Sequence, residues 1–96
     1  MALPAGVTAY NRTPDFTPEN IPEKLRAAHS TKPGTWGLLH VLEGQLLYQL
    51  EPPRQGERYL VAGDTAVIEP TIRHHVAFID GGRFYVEFYR AQIESA

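Results

Sequence analysis

Residues 35–50, TWGLLHVLEGQLLYQL, restrict the fold more than any other stretch of this chain. Strand-forming residues run up to Glu43-Gly44 and resume after it. This reads as two strands, Thr35–Leu42 and Gln45–Leu50, joined by a tight hairpin. With a period of two, Trp36, Leu38, His40 and Leu42 share one face of the first strand, and Gly37, Leu39 and Val41 the other. Both faces carry apolar residues, so alternation alone does not choose the solvent side.

The same punctuation continues downstream. Arg58–Val61 and Thr65–Glu69 read as short strands around Ala62-Gly63-Asp64, the second stopped by Pro70. His74–Ile79 and Arg83–Arg90 read as two more, joined through Asp80-Gly81-Gly82, a turn able to supply positive φ. Upstream, residues 1–19 hold Pro4, Pro14 and Pro18 and read as an arm. Within it, Val7–Tyr10 fits an edge strand or, more simply, an extended segment laid over the body. Asn20 and Glu23 form a capping-box pattern for a short helix, Ile21–Ala28, ended by Lys32-Pro33-Gly34. Short strands at close spacing with one brief helix predict an all-β sandwich or barrel, not a layered α/β fold.

A chain of 96 residues has room for one core, so it reads as a single domain over 1–96 with the barrel at about 29–90. The net charge of -2 gives no reason to expect nucleic acid or an anionic membrane as partner. No apolar run approaches the roughly 18 residues of a membrane span, and the N-terminus lacks the pattern of a secretory signal. Cysteine is absent, which leaves imidazole, carboxylate and water as metal ligands and fits a cytoplasmic protein. Nucleophilic catalysis finds little support, because Ser30 and Ser95 are the only serines and neither sits in a nucleophile motif.

The four histidines fall in two glycine-punctuated segments, His29 and His40 in the first and His74 and His75 in the second. Gly63-Asp64, then Pro70 and His74, resembles the second motif of cupins, and LHVLEGQLLY resembles the end of the first. More narrowly, HSTKPGTWG, VLEG, IEPTIRHHV and VEFY resemble the TehB/YeaR-like group of small cupins. That group includes free-standing proteins and a domain fused to the tellurite-resistance methyltransferase. The resemblance spans roughly residues 10–90. It implies a cupin-type double-stranded β-helix, a jelly-roll barrel, with one short N-terminal helix.

The resemblance also places site residues. His29 takes the first histidine position of motif one, and His74 the histidine of motif two. Thr31 stands where motif one has its second histidine, and Gly37 where it has glutamate. This departure counts against the oxidative chemistry of cupins. A stable metal site needs about three protein groups, and Glu87, within the apolar FYVEFY, is the candidate third. His29, His74 and Glu87 are thus the expected ligands of a divalent metal, zinc, nickel or iron, with His40, Trp36, Arg83, Tyr85 and Tyr89 lining the pocket. Simpler readings stand beside these. A histidine at a helix end is stabilised by the dipole, and His40 fits a hydrogen-bonded core histidine. Glu87 fits a solvent-facing residue, with Phe84, Val86 and Phe88 in the core.

The first functional expectation is a metal-dependent domain that binds a small molecule or oxyanion in stress response, as tellurite resistance would imply. The second is a small oxygenase or isomerase with Glu87 or His40 as general base. The third is a metal-free structural or interaction module. Exposed strand edges suggest a homodimer.

Overall fold

The computed structural model describes residues 3–26, 30–52 and 55–91. In chain order these form β1 (Val7–Arg12), α1 (Glu23–Arg26), β2 (Thr35–Leu50), β3 (Glu57–Val61), β4 (Thr65–Ile68) and β5 (His74–Ala91). The strand pairings are antiparallel. β2 and β5 pair along their whole length, from Thr35↔Arg90 to Leu50↔His74. On one side of their midpoint the order is β1-β5-β2-β4, and on the other β5-β2-β3. Leu39, Val41, Phe84 and Val86 of the first half share one core with Leu46, Tyr48, Leu60 and Val76 of the second. The two half-sheets therefore close on each other as an all-β roll.

The two glycine turns are not hairpins, which corrects the reading of residues 35–50 and 74–90. Both are bends within continuous strands. Register shifts fall between Val41 and Glu43 and between Gly44 and Gln45. They switch the inward positions from Thr35, Gly37, Leu39 and Val41 to Leu46 and Tyr48, since one extra residue turns every later side chain to the other face. At the bend Gly44 (φ 75°) lies against Gly82, and a Cβ on Gly44 would stand 2.6 Å from the Gly82 Cα. A side chain at either glycine would hold the two backbones apart.

β1 is an edge strand on β5. Its pairing extends past Pro14, where Thr13 N–H donates to Val86 O (2.9 Å) and Phe16 and Phe84 exchange two bonds (2.7 and 3.1 Å). Phe84 is fully buried, edge-on to Phe16 with ring centroids 5.6 Å apart. Burial of such a side chain is worth roughly 1.5–3 kcal/mol, enough to anchor the arm. Asn20 does not cap the helix. Its Oδ1 accepts the Thr17 N–H at 2.7 Å and closes a turn that sets Ile21 into the core. The predicted helix positions 27 and 28 lie outside the described residues.

Candidate functional site

His74, 2% exposed, projects into the roll from the start of β5. Its Nδ1–H donates to Ile72 O at 2.9 Å, which fixes the orientation of the ring. The cavity beside it is about 40 Å³ and is walled mainly by Leu39, Ile68, Val76, Phe84 and Val86. Thr31 also borders this cavity, but its hydroxyl is taken up by Thr35 O at 2.8 Å. A side chain at Gly37, where the cupin pattern has a glutamate, would be crowded by its neighbours. A Cβ at Gly37 would lie 3.1 Å from Ile68 Cβ and 3.3 Å from Val86 Cγ1. His29 lies outside the described residues. His75, one residue on, sits on the outer face and bonds Glu51 Oε1 at 3.2 Å.

The structure does not bring Glu87 to His74. Phe84 and Val86 are buried, so Tyr85, Glu87 and Tyr89 alternate to the outer face, opposite His40, Leu38 and Trp36 of β2. None of the residues nominated to line a pocket (His40, Trp36, Arg83, Tyr85, Tyr89) belongs to the interior lining. His40, Tyr85 and Tyr89 gather around Glu87 on the outer face instead. His40 Nε2–H donates to Glu87 Oε1 at 2.5 Å, and Tyr89 O–H reaches the same oxygen at 3.4 Å. Desolvation, then the charge of Glu87, raises the Tyr89 phenol above its ordinary pKa. The His40 ring stacks on Tyr85 at 4.6 Å, and the Arg12 guanidinium, from the opposite neighbouring strand, lies 3.8 Å from the same ring's centroid. Arg83 pairs with Glu43.

Among the described residues no three His, Asp or Glu side chains are grouped to hold a metal ion. Among the described residues the interior lining holds one imidazole, that of His74, beside mainly apolar walls, and a divalent charge held by that group alone would meet a large desolvation cost. Of the expected ligands, His74 faces the interior, Glu87 bonds His40 on the outer face, and His29 lies outside the described residues.

A second group of polar residues stands at the mouth of the roll and escaped the sequence reading. Tyr48, 5.4 Å from the His74 ring centroid to centroid, is paired across the sheet with Arg58. They border a cleft of about 200 Å³ with Leu50, Ala66, Glu69 and Ile72. Burial, then the charge of Glu69, pushes the Tyr48 phenol up to about 12. It keeps its proton at neutral pH and can donate a hydrogen bond. No spacing rule pointed to this group, because its members come together through the β2–β3 register and the turn after β4.

The profile of the TehB-like domain matches residues 11–86. The probable S-adenosyl-L-methionine-dependent methyltransferase TehB of Haemophilus influenzae (strain ATCC 51907 / DSM 11121 / KW20 / Rd) is 44% identical over 39 residues, which are 41% of this chain and 14% of that protein. The match thus takes in only a small part of the curated relative. The crystal structure of TehB from Haemophilus influenzae superposes with a TM-score of 0.81 at 27% identity, over 91% of this chain and 32% of that one. A protein from E. coli strain K12 superposes at 0.87 and 21% identity, over 97% of this chain and 99% of that one. An RmlC-like cupin from Shewanella frigidimarina shares the fold at a TM-score of 0.56 and 21% identity, covering 69% of this chain and 55% of that one. With most of its length matched by one family profile, on a small cupin fold, the chain belongs to the family of TehB-like domains.

Proposed function

We propose that this chain is a binding domain for a small polar molecule or oxyanion, with its ligand in the mouth cleft rather than inside the roll. The observation that carries this reading is the contrast in space and chemistry. The interior beside His74 has about 40 Å³ between largely apolar walls, room for a few waters at most. The cleft has about 200 Å³ and is bordered by the cross-strand neighbours Arg58 and Tyr48, two donors suited to an anion's oxygens, with the Glu69 carboxylate as an acceptor for a polar molecule's own donors. A stress-response role toward tellurite or another oxyanion, in the cytoplasm, is the finer form of the same reading. The oxygenase or isomerase alternative would use His40 or Glu87 as base, and those two are committed to each other on the outer face.

Calorimetric titration with tellurite, phosphate and short carboxylates tests the proposal. Loss of a charge-assisted hydrogen bond should weaken binding by roughly tenfold to a hundredfold in Arg58→Ala, with a smaller loss in Tyr48→Phe. Unchanged affinity in Arg58→Ala would refute the cleft as the site. Elemental analysis of untagged protein tests metal loading separately. Any zinc, nickel or iron held by the expected histidines should disappear in the His29→Ala/His74→Ala variant.

A further inference from the structure

The mouth cleft does not end at Arg58. A second hollow of about 190 Å³ adjoins it, lined by Tyr48, Leu50, Gly56, Glu57 and Arg58. Tyr48, Leu50 and Arg58 border both spaces. The pairing of β2 with β3 explains the arrangement. Tyr48 lies across the ladder from Arg58, and Leu50, two residues on, shares their face. Leu50 N–H donates to Gly56 O at 2.8 Å and extends the pairing past the end of β3. Gly56 has no side chain to fill the space beside Leu50. A Cβ there would stand 3.5 Å from Leu50 Cδ1, in ordinary contact.

The two spaces differ in chemistry. Glu69 borders the cleft and not the hollow. The surface of the hollow is almost entirely apolar, so Glu57 and Arg58 show it mainly their aliphatic stems. Among the described residues along both spaces, Arg58 is the one cation, while Glu57 and Glu69 are acidic. A doubly charged oxyanion would gain from one guanidinium and be repelled by two carboxylates, whereas a single negative charge halves that repulsion. Affinity beyond one ion pair then has to come from apolar contact, and the hollow supplies the surface for it.

We propose that the ligand is an amphipathic organic acid, with one carboxylate taken by Arg58 and Tyr48 and a short alkyl chain or ring seated in the hollow against Leu50. This rests on the mouth cleft as the binding site and narrows its ligand from polar molecules and oxyanions in general. The paired N–H groups of a guanidinium match the two oxygens of a carboxylate, and the Tyr48 hydroxyl adds a third donor. The apolar part turns away from Glu69 into the hollow, where its carbon atoms replace water on Leu50.

Titration with acetate, butyrate, hexanoate, phosphate and tellurite, followed by amide NMR shifts, tests the assignment. From acetate to hexanoate the affinity should rise about two- to fourfold with each added methylene. Shifts at Leu50, Gly56 and Glu57 should grow along the same series. Phosphate and tellurite should bind more weakly than hexanoate, and so should hexylamine, which has the chain without the carboxylate. Leu50→Gln puts an amide in the hollow and should flatten the dependence on chain length. Acetate and hexanoate bound equally, or phosphate bound more tightly than hexanoate, would overturn the amphipathic ligand; the cleft reading would survive if Arg58→Ala still weakened that binding. Hexylamine bound as tightly as hexanoate would overturn the carboxylate. No binding by any of these anions would end both this inference and the cleft reading. The chain-length series of the unaltered protein decides the matter if Leu50→Gln does not fold.

Discussion

At the scale of single residues, Gly37 and Tyr48 carry the sharpest consequences. Gly37 allows Ile68 and Val86 to close over the spot beside it. Gly37→Ala should therefore cost about 1–3 kcal/mol by overpacking, read from urea denaturation; an unchanged midpoint would mean that Ile68 gives way freely. Tyr48 predicts a pH dependence with a defined sign. Its folded pKa is raised from 10.0 to about 12, so the folded state binds the proton more tightly than the unfolded one. The stability it contributes is complete below pH 10 and is lost as pH rises through about 12. Unfolding curves should show a steeper alkaline decline in the natural protein than in Tyr48→Phe, and parallel curves would remove Tyr48 from the account. The His40–Glu87 pair, with side chains 23% and 29% exposed, should show a coupling of only about 0.2–1 kcal/mol in a double-mutant cycle. Sequence alternation placed His40 opposite Gly37, Leu39 and Val41 but could not say which set faced inward. Packing decides it: Leu39 and Val41 are buried on that side, and Glu87 lies on the outer face, half-buried against His40.

At the scale of elements, the chain of short strands was legible and two of its joints were misread. Glycine with positive φ serves a hairpin and a strand bend equally well, so Glu43-Gly44 and Asp80-Gly81-Gly82 carried no local signal to separate them. What separates them is the contact of Gly44 with Gly82, residues far apart in sequence. Gly44→Ala should lose at least about 1–2 kcal/mol from the left-handed backbone alone, and more from the 2.6 Å approach to Gly82. An alanine there with the stability of the parent would disprove the close contact. The arm was legible as extended, yet its pairing with β5 depends on Phe16 and Phe84 meeting in the core. The mouth cleft was invisible for the same reason, since Tyr48, Arg58 and Glu69 are assembled by register and not by spacing.

At the scale of the whole molecule, the pairing of residues 35–50 with 74–90 dominates the topology. Contacts this distant in sequence must close large loops before they stabilise anything, so refolding after dilution from urea should take milliseconds to seconds. Stopped-flow fluorescence of Trp36 would reveal it, and a phase complete within microseconds would contradict the topology. The shared strands have a further consequence. Because β2 and β5 each cross the bend unbroken, neither half-sheet owns its two central strands, and melting one strips the other of its scaffold. Exchange of the deepest amides at Leu39 and Leu46, on opposite sides of the bend, would then report one opening event with one free energy. A ligand gripping Tyr48 at the mouth would slow both alike.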